Sequence, residues 1–132
     1  MATIKRFEDL EIWIEARRLS LCIFEITQKE TFSREYKFKD QIKASAGSVM
    51  DNIAEGFERS GRLEFVNFLG FAKGSAGEVR SQCYRAFDQG YITQDEFDDL
   101  YSGYEKLASN IAGFINYLNR SAIKGQKFKD RI

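Results

Sequence analysis

Ile12, Ala16, Leu19, Ile23 and Ile26 recur at spacings of 4, 3, 4 and 3, which predicts an amphipathic helix over about Asp9 to Gln28. Leu10, Trp13, Ile14, Leu21 and Phe24 form a second apolar stripe on the same segment. At about 100° per residue the two stripes face nearly opposite ways. A peripheral helix in a monomeric bundle needs one apolar face, so the second stripe predicts cover by another subunit. Arg17 falls in the middle of it. A cation there should pair with an acid or stack on a ring such as Trp13, and it reads as a subunit-contact residue.

The same periodicity predicts further helices. Phe38, Ile42, Ala46, Val49 and Ile53 mark one over about Arg34 to Glu55, with Gly56 suited to its C-terminal cap. A polar stripe runs beside them through Gln41, Ser45, Ser48, Asn52 and Glu55, while Lys39 and Lys43 lie one turn apart on another side. Ser60-Gly61-Arg62 reads as a turn into a third helix, about Leu63 to Gln89, whose core face runs from Phe65 to Phe87. Gly70, Gly74, Ser75 and Gly77 are poor helix formers. Inside so periodic a stretch they predict close backbone approach rather than a break. Gly90 ends that helix, and Thr93 with Glu96 forms a capping box for a fourth. Phe97, Leu100, Tyr104, Leu107, Ile111, Phe114 and Leu118 then alternate spacings of 3 and 4. After Arg120 the period is lost. The expected architecture is all-α: an antiparallel up-down-up-down four-helix bundle over residues 1–119, then a mobile basic tail over 120–132.

Composition sharpens this picture. The 132 residues fit one domain. Pro is absent, which removes the strongest helix breaker, and His is absent too. Without His there is no imidazole acid–base step, no His-activated nucleophile and no His-ligated zinc. Cys22 and Cys83 lack metal or redox spacing and read as core thiols of a reducing cytoplasm. No apolar run is long enough to span a bilayer, so no membrane partner and a cytoplasmic location are expected. Basic and acidic residues balance at 20 each, but unevenly: residues 120–132 are basic and residues 88–99 acidic.

Candidate chemistry is sparse. Glu55 and Glu78 are the best candidates for buried acids. They could act as an acid–base or metal-binding pair, contact a partner, or accept hydrogen bonds from Ser, Asn, Gln or Arg and fix helix register. With Gln41, Ser48, Asn52 and Ser75 they suggest an interhelical polar network. Gly74-Ser75-Ala76-Gly77 is no phosphate loop, because its glycines fall mid-helix where backbone N–H groups are already bonded. Arg62, Lys73 and Arg80 share one side of the third helix. With Lys39 and Lys43 they could line a nucleic-acid groove, a subunit contact or a plain solvated face. Lys124 and Lys127 of the tail could bind nucleic acid or simply aid solubility. No cofactor is expected.

Phe7-x-x-Leu10-x-Ile12-Trp13-x-x-Ala16 resembles the opening of the bacterial four-helix-bundle family encoded within 23S rRNA intervening sequences, often labelled S23 ribosomal protein. The similarity continues through Gln41-Ile42-Lys43-Ala44, Ser48, Asn52-Ile53-Ala54-Glu55-Gly56, Glu64-Phe65, Phe68-Leu69, Ala72, Gly74-Ser75-Ala76 and Glu78. It covers about residues 7–119. The resemblance implies a left-handed antiparallel bundle, a ring-like homopentamer and kinship to the nucleic-acid-associated accessory protein of diversity-generating retroelements. It brings no catalytic residues. Two departures stand out. Ala44 and Ser45 follow Lys43 where the family usually has consecutive basic residues, which weakens the inference of RNA binding. Met50-Asp51 stand where it often has Pro, which implies a straighter second helix. The expected function is a non-enzymatic, oligomeric, nucleic-acid-associated protein, RNA rather than DNA. The alternatives are a protein-interaction scaffold or accessory subunit, and a metal-dependent enzyme using Glu55 and Glu78.

Overall fold

In the computed structural model, which describes the backbone of residues 4–130 and the side chains of residues 4–121, the chain is all-α. A 3-10 turn at Phe7–Asp9 leads into α1 (Glu11–Thr27), a short α2 (Glu30–Ser33), α3 (Tyr36–Glu58), α4 (Arg62–Asp88) and α5 (Gln94–Asp130). Among the described residues there is no strand. Helical backbone continues past Arg120, where the apolar period of the sequence stops.

The 3–4 spacing of apolar residues decides what is inside. Ile12, Ala16, Leu19, Ile23 and Ile26 of α1 are buried against Ile42, Ala46, Val49 and Ile53 of α3. Leu69, Ala72, Ala76, Val79 and Cys83 of α4 and Leu100, Tyr104, Leu107 and Ile111 of α5 complete the core. Burial pushes the Cys83 thiol up to about 12, so it stays protonated and unreactive. Residue numbers rise along α3 as they fall along α4: Ser45 meets Glu78, Ser48 meets Ser75 and Gly56 meets Phe68. Across α4 and α5 the same order holds, from Arg62 with Asn119 to Phe87 with Phe97.

Two local features depart from the sequence expectation. Gly56 does not cap α3 but lies buried inside it, and the helix runs one turn further to Glu58. A Cβ at Gly56 would stand 2.6 Å from the Phe68 Cβ, so glycine is there for close approach of α3 to α4. The second departure is α2, a single turn between α1 and α3. Its Phe32 is fully buried, stacking on Phe38 at 5.3 Å and meeting Tyr91 at 5.2 Å.

The link from α4 to α5 follows its sequence. Gly90 adopts φ +80°, a left-handed conformation that disfavours any other residue. The Thr93 hydroxyl accepts from the Glu96 N–H at 3.1 Å, and the Glu96 carboxylate accepts from the Thr93 N–H at 2.8 Å. Glu96 also takes a hydrogen bond from Lys29, just beyond the end of α1. Burial raises the Glu96 carboxyl, but the Lys29 and Thr93 hydrogen bonds outweigh it and hold the group below the ordinary carboxylate range. A carboxyl depressed in the folded state lends stability above its unfolded pKa, and loses it as pH falls through the folded value. Glu96→Gln is therefore expected to cost about 0.5–1 kcal/mol at neutral pH. The gap to wild type should close in acid, as read from urea midpoints between neutral pH and about pH 3.

Candidate functional site

The outer face of α1 is the first surface that the fold leaves unusual. Ile14, Leu21 and Phe24 are 50%, 59% and 47% exposed, although isolated α-helical surfaces of this kind normally carry charge. They recur at spacings of 7 and 3, so they form one row along the helix. Arg17 joins the row with its guanidinium over Trp13 at 5.7 Å, and the Lys43 ammonium reaches over the Phe24 ring from α3 at 6.0 Å. The face is thus apolar with one cation, Arg17, within the row and a second, Lys43, at its α3 edge.

The second stripe is not uniform, however. Leu10 is 3% exposed and belongs to the core of its own chain. Trp13 is half-buried, edge-on to Phe7 at 5.1 Å. Phe7, in the turn before α1, packs on Trp13, and Leu10, between that turn and the helix, is buried in the core and unavailable to another subunit. Periodicity within one helix carries no information about a preceding turn that packs on it.

The α3–α4 seam is polar as well as close. Ser75 Oγ donates to Ser48 Oγ at 3.0 Å, and Asn52 Nδ2 donates to the Ser48 carbonyl at 2.8 Å and hydroxyl at 2.9 Å. One turn away the Ser45 hydroxyl donates to the Glu78 carboxylate, with the Gln41 carbonyl 3.1 Å away. These bonds tie Gln41, Ser45, Ser48, Asn52, Ser75 and Glu78 into the seam.

Glu55 and Glu78 are not the buried pair that the sequence suggested. Both are exposed. Glu55 pairs with Arg59 at 2.9 Å, one turn along its own helix. Glu78 pairs with Ser45, which lies ten residues, about 15 Å, from Glu55 along α3. Two carboxylates so far apart cannot share a metal ion or a proton. The stripe rule placed them beside the core but could not say that both carboxylates reach solvent.

The mid-helix glycines of α4 also differ from expectation. A Cβ added at Gly70 or Gly74 meets nothing within 4 Å, and at Gly77 only the Arg80 side chain at 3.8 Å. Within this chain the tight contacts are at Gly56, against the Phe68 Cβ, and at Gly103, against the Leu19 side chain.

The basic residues are spread out. Lys39 lies over the Tyr36 ring at 5.2 Å and donates to the Ser33 carbonyl at 3.3 Å. Arg62 donates to Asn119 at 3.0 Å, Lys73 is exposed, and Arg80 stands over Tyr101 at 5.9 Å. Arg62 and Arg80 are 18 residues apart, so the row with Lys73 runs about 27 Å along one side of α4. Lys124 and Lys127 lie outside the residues whose side chains are described.

The comparisons with known proteins agree with this helical frame. No helix among the described residues is long and apolar enough to cross a membrane. A crystal structure of a protein with unknown function from the S23 ribosomal protein family of Bacteroides thetaiotaomicron is similar, with a TM-score of 0.72 at 20% identity. The similarity covers 79% of this chain and 97% of that one, and at such identity it speaks to fold alone. No curated protein matches the chain. A family profile described as 23S rRNA-intervening sequence protein matches residues 8–113, most of the sequence. The chain belongs to the 23S rRNA-intervening sequence protein family.

Proposed function

We propose that this protein is a non-enzymatic homo-oligomer, a pentameric ring of left-handed up-down-up-down four-helix bundles, that associates with nucleic acid, RNA before DNA. The observation that carries the reading is the apolar row of Ile14, Leu21 and Phe24 on the outside of α1, with Arg17 among them and Lys43 at its edge. Burying such a row against a second copy removes apolar surface from water at about 25 cal/mol per Å². A ring repeats Lys39, Lys43, Arg62, Lys73 and Arg80 around an axis, which turns weak cationic sites into a multivalent one. Lys124 and Lys127 add to the same charge. The opposed residue numbering along α3–α4 and α4–α5 supports the bundle topology. The separated, exposed Glu55 and Glu78 favour a structural over a catalytic use. The protein acts in the cytoplasm.

The test is retention on immobilised RNA and DNA. Retention is expected at low salt, stronger on RNA, with a steep decline as salt rises because phosphate contacts release counterions. No retention even at low ionic strength would overturn the nucleic-acid part.

One observation favours a second reading, a protein-interaction scaffold. Leu63 and Phe71 of α4 and Tyr117 of α5 are exposed away from the α1 row. Apolar residues exposed in this way seat a protein partner where they join into one contiguous patch. On that reading a protein would co-purify in high salt and nucleic acid would not.

A further inference from the structure

Apart from Arg80, neither reading uses the face where α4 and α5 meet near the Gly90 turn. Tyr84 is 50% exposed there, with its ring 4.8 Å from Phe97 and 5.5 Å from Tyr101. The Arg80 guanidinium over Tyr101 means that this surface already holds one cation on an aromatic ring. Exposed carboxylates rim it: Asp88 one turn beyond Tyr84 on α4, and Asp98 and Glu105 one turn to either side of Tyr101 on α5. Tyr101, then burial, and also the Glu105 charge hold the Tyr84 phenol above its ordinary pKa.

An exposed ring, Tyr84, beside two partly buried ones and rimmed by acids suits a Lys- and Arg-rich segment, each cation gaining about 0.5–1 kcal/mol on a ring face. This sequence contains one such segment. Residues 120–132 hold Arg120, Lys124, Lys127, Lys129 and Arg131 against the single acid Asp130. Their own chain cannot bring them to the platform. Arg120 is 23 residues beyond Phe97 along one helix, about 35 Å away, and α5 continues in the same direction through Asp130.

We propose that the α4–α5 face of Tyr84, Phe97 and Tyr101, rimmed by Asp88, Asp98 and Glu105, docks the basic C-terminal segment 120–132 of a second copy of this chain. The surface given and the surface received differ, so the contact is heterologous and closes into a ring where the rotation allows. It is distinct from the α1 row and stands or falls independently of it. Because its charges are exposed, it weakens with salt.

The test is zero-length carbodiimide cross-linking of the full chain, mixed from isotopically heavy and light preparations. Expected are heavy–light links joining Asp88, Asp98 or Glu105 to Lys124, Lys127 or Lys129, reduced several-fold in high salt. A full chain carrying Tyr84→p-benzoylphenylalanine, irradiated at low salt, should attach to residues 120–132 of the other isotope. Both links should persist in Leu21→Lys, which separates this contact from the α1 row. Links from this face to α1, to nucleic acid, or to no other copy would overturn the proposal.

Discussion

In salt high enough to screen the exposed charges of the C-terminal contact, Leu21→Lys is expected to dissociate the assembly into single chains of 15.3 kDa while leaving helix content unchanged. In the isolated chain Leu21 is 59% exposed, so a charged side chain there displaces little of the chain's own packing. Between two copies the same side chain would be fully buried. Its loss removes about 1–2 kcal/mol of apolar burial per contact, since 59% of the side chain is left to bury, and the ammonium adds a desolvation cost of several kcal/mol unless it finds an acid. In a closed ring every contact carries the penalty, so the effect compounds. Phe24→Lys should behave alike, since Lys43 already stands over that ring and a second cation would face it. Arg17→Ala should weaken the assembly less, because its guanidinium already has the Trp13 ring within its own chain. Sedimentation velocity together with far-UV circular dichroism reads both quantities. An unchanged mass for Leu21→Lys would place the subunit contact elsewhere.

Two glycine-to-alanine changes on neighbouring helices should move stability in opposite directions. Gly56→Ala drives a methyl to 2.6 Å from the Phe68 Cβ and 3.1 Å from the Phe65 ring. A Cβ is fixed to its backbone and cannot swing away as a side-chain tip could, so α3 and α4 must separate. Overpacking of this kind costs about 1–3 kcal/mol, which exceeds the gain of about 1 kcal/mol in helix propensity. Gly74→Ala meets nothing within 4 Å, so only the propensity gain remains, about 0.5–1 kcal/mol of stabilisation. Urea midpoints of the two variants, measured against wild type, give the signs directly. A neutral Gly56→Ala would mean that the helices stand further apart than the geometry has them.

The reasons for this contrast also explain what the sequence could reveal. The apolar 3–4 spacing identified the long helices because each buries one stripe, and a stripe is a property of a single segment. Thr93 with Glu96 and the turn at Gly90 were legible because their hydrogen bonds and backbone angle are local. Contacts between segments were not. The glycine that α4 requires close by is Gly56, on the other helix, whereas the conspicuous Gly70 and Gly74 face open space within the chain. Phe32 was missed because one turn is too short to show a period, although an isolated aromatic between two helical stretches was the available signal. Glu55 and Glu78 sat beside the apolar stripe, and stripe position alone cannot tell a seam from an edge. Leu10 looked free because the turn at Phe7–Asp9 that precedes it, and sets where it enters the core, has no pattern of its own.

Sedimentation equilibrium of the unmodified chain, run over a wide concentration range at moderate salt, tests most directly whether α1 is shared between copies. The expected result is one species of about five times the 15.3 kDa chain mass, stable on dilution as an interface built on apolar burial should be. A single species at the mass of one chain across that range would contradict it, and would leave Ile14, Leu21 and Phe24 as an exposed row with no copy to cover them.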